Sequence, residues 1–320
     1  MNHTNMNWRL VAAIVVGSLA VSLTAQAQVN YDYEAVTFPG ALATEVFGIN
    51  QRGDVVGNGF PGAAASTPFI HDSKQGGFTI VDAVAGFETT TTLGINSRGD
   101  VVGAVTDSFG LQSGLMLANH GTATIFDHPD SGGSTVARAV NNQGLVTGIR
   151  DSIDPQFGSA GFIYDSKSGA FTDIVPSIFT IAQGINSWGD VVGSAIFLAD
   201  NDPCNPGAPP GGTVRYGWLR SENGDVRFFS VNGLRTSARG IADTGTVTGF
   251  ATNPATLETV GFVTELDGTQ CQNIVIAEGN LLRFPGAFAT FPQGITNSGV
   301  VVGEYFAPGG FFDGFVARPQ

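Results

Sequence analysis

Positive charge is scarce in this chain: 14 Lys and Arg stand against 27 Asp and Glu in 320 residues, a formal net charge of −13. Such a chain repels phosphate instead of releasing its counterions, which excludes a general attraction for nucleic acid or anionic membrane surfaces. Charged residues are only 13% in total, while hydrophobic residues reach 42%, too many for a disordered chain. Apolar residues show no 3.6-residue periodicity, which excludes a helical repeat protein. Cysteine is confined to Cys204 and Cys271, too few for a zinc or iron–sulfur site without suitably spaced histidines. Beyond the N-terminal segment, histidine occurs only at His71, His120 and His128, with no His-x-x-x-His spacing. A Gly-x-Ser-x-Gly elbow and a phosphate-binding glycine loop are also missing. What is abundant is glycine, 45 residues, roughly twice the usual share. With plentiful Val, Thr and Phe, this favours short strands and tight turns.

Residues 1–9 carry a single side-chain charge, Arg9, and an apolar stretch over residues 10–23 precedes Ala25-Gln26-Ala27. That order predicts a signal peptide over residues 1–27, cleaved after Ala27. The apolar stretch falls short of the ~20 residues a spanning helix needs. Residues 28–320 are therefore expected as one secreted or periplasmic domain with no membrane insertion. In an oxidising compartment an even pair of cysteines favours one disulfide, Cys204 to Cys271, with two unpaired thiols as the alternative.

One ten-residue phrase occurs six times, at residues 48–57, 94–103, 139–148, 184–193, 240–249 and 294–303. The first copy reads Gly48-Ile-Asn-Gln-Arg-Gly-Asp-Val-Val-Gly57, and the last two copies are degenerate. Starts are spaced by 46, 45, 45, 56 and 54 residues, and Thr44, Thr90, Thr135, Thr180, Thr236 and Thr290 precede the copies in constant register. Each phrase predicts a β-hairpin in which Asn caps the turn and Gly supplies positive φ. A weaker phrase follows: Phe69-Ile70, Leu115-Met116, Phe162-Ile163, Trp218-Leu219, Phe262-Val263 and Phe315-Val316. Four strands in about 45 residues match a propeller blade. The chain stops soon after Val316, whereas an orphan strand, Tyr33 to Phe38, opens the mature chain. The expectation is thus a six-bladed, all-β propeller of four-stranded blades whose N-terminal strand closes the ring. A Pro- and Gly-rich insertion spans about residues 200–212.

Together the Gly-Ile-Asn-x-x-Gly-x-Val-Val-Gly phrase, Phe38-Pro-Gly-Ala41 and the later Gly-Phe-[IV] resemble the bacterial extracellular repeat family called HAF. The resemblance covers essentially the whole mature chain. It departs where His-Ala-Phe is replaced by Pro68-Phe69-Ile70, Gly114-Leu115-Met116 or Gly217-Trp218-Leu219. It implies a secreted or surface protein of unassigned activity and supplies no catalytic residues.

Loops on one face of the expected propeller vary in length, and variable loops on a rigid scaffold are where binding sits. Asp127, His128, Asp130, Asp151, Asp154 and Glu304 are the ligand-binding candidates there, with Asp82, Glu88 and Asp107 on the same face. Recurrent Asn50, Asn96, Asn141 and Asn186, with Asp54, Asp100 and Asp190, are read as turn formers on the opposite face. Asp130-Ser-Gly-Gly133 lacks the base and buried acid that a protease triad needs. Asp200-Asn-Asp202 lacks the Gly and terminal Glu of a calcium loop. No cofactor is expected, a bound cation such as calcium being the alternative. The aromatic residues are read as core, with Phe306, Phe311 and Phe312 as a candidate exposed patch. The leading expectation is a monomeric, non-catalytic binding or surface-interaction module for an extracellular glycan or protein. The alternatives are a glycan-active hydrolase or lyase with carboxylates in the propeller mouth, and a structural envelope protein.

Overall fold

The computed structural model describes residues 30–320 apart from 63–64, 120, 155–157 and 175–176. The expected signal peptide (1–27) and His120 lie outside the described residues. β1 (Tyr31–Val36) comes first. The first repeat then forms β2 (Ala43–Ile49), β3 (Asp54–Gly62), β4 (Ala65–Asp72) and β5 (Phe78–Ile80). The second forms β6 (Thr89–Ile95), β7 (Val101–Thr106), β8 (Gln112–Leu117) and β9 (Ala123–Phe126). The third forms β10 (Ser131–Val140), β11 (Leu145–Ser152), β12 (Ser159–Asp165) and β13 (Ala170–Ile174). The fourth forms β14 (Phe179–Ile185), β15 (Val191–Leu198), β16 (Thr213–Arg220) and β17 (Val226–Val231). The fifth forms β18 (Arg235–Ile241), β19 (Val247–Thr252), β20 (Thr259–Thr264) and β21 (Gln272–Ile274). The sixth forms β22 (Ala289–Ile295), β23 (Val301–Phe306) and β24 (Phe312–Pro319). The protein is an all-β propeller; among the described residues no helix is long and apolar enough to cross a membrane.

Three sheets are four-stranded: β2-β3-β4-β5, β6-β7-β8-β9 and β1-β24-β23-β22. β10–β13 and β14–β17 touch through a single parallel pair, Ser159 with Phe179, and so count as parts of one larger sheet. The fifth repeat departs from the four-stranded expectation, since β18-β19-β20 form a three-stranded sheet. The segment from Leu281 to Phe284, which stands where a fourth strand would complete this sheet, makes only an isolated bridge between Leu282 and Gly261. The extra residues of this repeat carry β21 away to pair in parallel with β17. There Cys271 is disulfide-bonded to Cys204 of the long insertion, with Cα atoms 5.3 Å apart. The crosslink and the parallel pairing together explain why the segment leaves its own sheet.

Each hairpin is built by its Asn. Asn50 Oδ1 accepts from the N–H groups of Arg52 (2.9 Å) and Asp54 (3.0 Å), and Gly53 turns the chain at φ +95°. The Asn50 amide donates to Asp54 Oδ2 at 2.8 Å and to the Asn96 carbonyl of the next repeat at 3.1 Å. Asn96 and Asn141 repeat that donation to Asn141 and Asn186, and Asn186 donates to Ala242. These side chains therefore do two jobs, capping their own turn and joining neighbouring hairpins. All four are buried, where an unmade bond is costly.

The recurrent Thr is buried in every repeat. Its hydroxyl accepts a backbone N–H from the preceding loop: Phe38 to Thr44 (2.9 Å), Val84 to Thr90 (3.0 Å), His128 to Thr135 (3.0 Å), Val231 to Thr236 (2.9 Å) and Phe284 to Thr290 (2.8 Å). In the fourth repeat Thr180 instead meets the Ser177 hydroxyl. The final Gly of each phrase lies directly opposite the first residue of the weaker phrase. Gly57 faces Phe69, Gly103 faces Leu115, Gly148 faces Phe162, Gly193 faces Trp218, Gly249 faces Phe262 and Gly303 faces Phe315. Those six large side chains have no solvent exposure, each contributing roughly 1.5–3 kcal/mol by burial.

Candidate functional site

Every innermost strand carries a β-bulge one residue before the Gly-Ile-Asn position: Val46/Gly48, Thr92/Gly94, Ala137/Ala139, Ala182/Gly184, Ala238/Gly240 and Pro292/Gly294. A bulge re-aims the extra side chain. Here the six bulged residues are Phe47, Leu93, Arg138, Gln183, Arg239 and Gln293, and all line one axial compartment. Toward the hairpin face the channel is lined by the capping residues, Asn50, Asn96, Asn141 and Asn186 among them.

Glu304 belongs to this axis. It lies within β23, opposite Phe291, and not in a loop of the variable face. The ladder continues three residues past the final Gly to Phe306, so the position assigned to a loop is still strand. Glu304 Oε1 accepts from Gln293 Nε2 at 3.2 Å, and its other oxygen is buried without a partner. Burial, reinforced by the nearby Glu45 carboxylate, pushes its pKa up to about 7. Burial pushes Arg239 down to about 9, with the positive charge of Arg138 adding to the effect; it remains cationic at neutral pH. Arg239 also stacks over the Phe250 ring, 4.8 Å from its centroid.

A raised carboxyl pKa has a definite sign. The neutral form is favoured in the fold, so its contribution is whole below the ordinary value of 4.5 and is lost as pH rises through about 7. The interval corresponds to roughly 3 kcal/mol. Glu304→Gln is therefore expected to match wild-type stability near pH 4 and to exceed it by about 2–3 kcal/mol at pH 8. Paired urea titrations across that range measure the difference, and parallel wild-type and variant curves would refute the assignment.

The loop face carries a larger pocket of about 530 Å³ whose wall includes Asp130, Arg150, Ser152, Ile153, Asp154 and Asp173. Arg150 is the organising group. Its guanidinium donates to both oxygens of Asp173, at 3.2 and 3.0 Å, and to the Asp130 carbonyl at 2.8 Å. Beneath them His128, 5% exposed, is enclosed by the Phe162 and Phe171 rings. Its Nδ1 accepts from the Asp130 N–H at 3.1 Å, which leaves the proton on Nε2, 3.3 Å from Asp173 Oδ1. Burial lowers the imidazole pKa more than the Asp173 carboxylate raises it, so the ring is neutral at pH 7.

Of the residues singled out in the sequence, Asp130 and Asp154 reach this pocket and His128 supports its wall. Asp127 is exposed at the end of β9. Asp151 lies within β11, where its Oδ2 accepts from the Ser134 N–H at 3.2 Å. Glu304 is on the axis. Phe311 is 51% exposed, whereas Phe306 and Phe312 are partly buried against each other, ring centroids 5.2 Å apart. Among the described residues no group of three His, Cys, Asp or Glu side chains converges to hold a metal ion. Arg150, Asp173, Arg138, Arg239 and Gln183 escape the sequence reading. For two of them a signal existed, since Ala137-Arg138-Ala139 and Ala238-Arg239-Gly240 place a charge inside an otherwise apolar phrase.

No family model matches the chain, and no curated protein matches it. Solved structures do share its shape. TolB from Acinetobacter baumannii is 11% identical at a TM-score of 0.47; the alignment covers 87% of this chain, which spans only 54% of TolB. The β-propeller domain of the Trilobed protease from Pyrococcus furiosus, described as having an open velcro topology, is 9% identical at a TM-score of 0.50, covering 87% of this chain and 97% of that one. A neuraminidase-like protein of A/little yellow-shouldered bat/Guatemala is 10% identical at 0.50, covering 91% and 100%. At such identities the likeness at 0.50 establishes the propeller fold and nothing about activity.

Proposed function

We propose that this chain is a six-bladed propeller closed by its N-terminal strand, exported as a non-catalytic module that binds an extracellular glycan or protein on its loop face. Six blades are supported by the hydrogen bonds that lead from hairpin to hairpin. After Asn186 and Ala242, the Asp243 N–H donates to Asn297 Oδ1 at 2.8 Å. The Asn297 N–H then donates to Gln51 Oε1 of the first hairpin at 2.9 Å. β1 pairs with β24 along its whole length. The fifth blade keeps only three regular strands.

The binding reading rests on the state of the polar groups around the loop-face pocket. Both ring nitrogens of His128 are engaged, and Arg150 grips both oxygens of Asp173. These groups are fixed as walls instead of being presented as a general acid and base. Exposed Ile153, at 67%, supplies apolar contact area beside the guanidinium.

The test is a glycan and polysaccharide panel scored for binding and for cleavage with protein recovered from the culture supernatant or periplasm. Binding without turnover is expected, weakened about tenfold by Ile153→Ala as for a contact residue worth somewhat over 1 kcal/mol. Turnover that disappears in Asp130→Asn or Asp151→Ala would establish the hydrolase instead. A panel without any response would leave the envelope-protein reading in its place. The recovered protein is expected to begin at Gln28.

A further inference from the structure

The loop face carries apolar surface that the fold leaves uncovered. Phe109 is 88% exposed and Leu111 48%, and the exposed Ile153 stands in the adjoining repeat. Asp107 fixes the turn that presents the first two, its Oδ1 accepting from the N–H groups of Phe109 (2.8 Å) and Leu111 (3.0 Å). Next along the chain, the Gln112 N–H donates to Ser134 Oγ at 3.2 Å. Asp151 Oδ2 accepts from the Ser134 N–H, so the second and third repeats are tied together here. Between them lie Gly132, which is exposed, and Gly133 of β10, contributing backbone without a side chain. A methyl group on Gly133 would sit 3.6 Å from Leu111 Cδ2 and 3.4 Å from Asp151 Oδ2. One on Gly132 would sit 3.3 Å from the Ile153 nitrogen. The result is an open groove with a glycine floor, flanked by Leu111 on one side and by Asp151 and Ile153 on the other.

Charge restricts the occupant. Asp107, Asp127, Asp130, Asp151, Asp154 and Asp173 stand at the loop-face ends of the strands in these two repeats, and all but Asp107 are exposed. Among the described residues the one cation lining the adjoining pocket is Arg150, 8% exposed, its guanidinium held by Asp173 and the Asp130 carbonyl. Arg98 and Lys167 of the same repeats sit in turns of the opposite face, and Arg138 sits on the axis. The hydroxyls of Ser159 and Ser177 donate to the Thr180 and Phe179 carbonyls, and Ser152 Oγ accepts from the Asp154 N–H. The surface thus offers acceptors in excess of donors and a negative field, which repels uronate, sulfate and phosphate groups. An ammonium group, with three donors and no acceptor, is its complement. The pocket of about 530 Å³, which shares Ile153 with the groove, falls in the range of small-ligand sites. A floor of bare backbone suits a chain without protruding side chains, which favours a sugar polymer over a peptide. We propose that groove and pocket bind a glycan bearing free amino groups, its ammonium groups paired with Asp130, Asp151 and Asp154 and its C–H faces laid on Phe109, Leu111 and Ile153. The proposal rests on the binding reading of the loop face and names the class of glycan taken there.

The experiment is calorimetric titration of the full mature protein with a glucosamine hexasaccharide at about pH 5.5, where amines are protonated. The N-acetylated hexasaccharide and a uronate oligomer of equal length serve as comparisons. The amino sugar is expected to bind at least about tenfold more tightly than its acetylated form, and the uronate not at all. Leu111→Ser and Asp151→Asn should each weaken it about tenfold. The second removes the charge and retains an acceptor for the Ser134 N–H. Ile80→Ser, at an exposed apolar position on β5, should leave binding unchanged. Equal binding of the acetylated sugar overturns the proposal and makes the loop face a binder of neutral glycans. Equal binding by wild type and both groove variants traces the attraction to overall negative charge and overturns it too. If a peptide of alternating Lys and Leu binds where neither sugar does, the groove takes a polypeptide instead. A silent titration beside a panel that binds other glycans sinks this proposal alone; silence in both sinks the reading beneath it as well.

Discussion

Gly103→Ala is expected to yield no cooperatively folded protein. Gly103 lies at the centre of β7, and a methyl group there would fall well inside van der Waals contact of the Thr91 carbonyl oxygen on the neighbouring strand. The obstacle is backbone in a hydrogen-bonded ladder, so no rotamer change relieves it. Overpacking a core with side chains that can shift already costs about 1–3 kcal/mol; a clash with fixed backbone exceeds that and consumes much of the 5–15 kcal/mol a domain holds. The same position recurs at Gly57, Gly148, Gly193, Gly249 and Gly303, each blocked by the matching carbonyl: Glu45, Val136, Ile181, Ser237 and Phe291. Gly309→Ala is the control. A methyl group there meets nothing within 4 Å, and its effect should stay within about 0.5 kcal/mol, as for an unconstrained surface position. Solubility, near-UV circular dichroism and urea titration of the two variants measure the contrast. A Gly103→Ala protein melting near the wild-type temperature would show that the innermost strands can spread.

Much of this was legible in the sequence because it is local. An Asn whose side chain reaches two and four residues ahead, and a Gly that must adopt positive φ, fix residue types at fixed offsets, as Asn50 and Gly53 do. The invariant final Gly is legible as a position but not as a cause, because the blocking carbonyl belongs to another strand of the sheet. The same limit hides the second role of the Asn amides, whose acceptors lie 45 or 46 residues away in the first three repeats. Glu304 and Asp151 read as loop residues because nothing local in the sequence marks a strand continuing beyond the final Gly. The ladder in fact runs on past it, as in β11 and β23. Pairing of β21 with β17 had no local signature at all, since three residues of ordinary composition join a strand more than 40 positions away. Candidate site residues were the least legible. Arg150 and Asp173 meet across β11 and β13, and only folding brings those strands to one side of a pocket.

Deletion of Tyr31–Phe38 is expected to convert the protein into an aggregating, non-cooperative species. β1 pairs antiparallel with β24 through six residue pairs, from Tyr31 with Pro319 to Val36 with Gly314. Removing it strips the outer backbone donors and acceptors from β24 and leaves an open sheet edge. Val36, 3% exposed, packs with Val46, Val55 and Phe69 of the first repeat and with Val302 and Val316 of the last. Tyr33 lies 5.6 Å from Phe284 and 5.9 Å from Phe315, and Phe38 stacks on Phe69 at 5.3 Å. Losing these partly and fully buried side chains removes roughly 4–8 kcal/mol, comparable with the stability of a whole domain. By contrast the exposed Arg318–Glu34 pair adds little. Because the missing strand is one extended segment, a synthetic peptide of residues 29–39 added in trans is expected to restore a monomeric species and a cooperative melt. Size-exclusion chromatography and thermal unfolding, with and without peptide, read both effects. A truncated protein that remains monomeric and melts at the wild-type temperature would mean that the ring does not depend on its N-terminal strand.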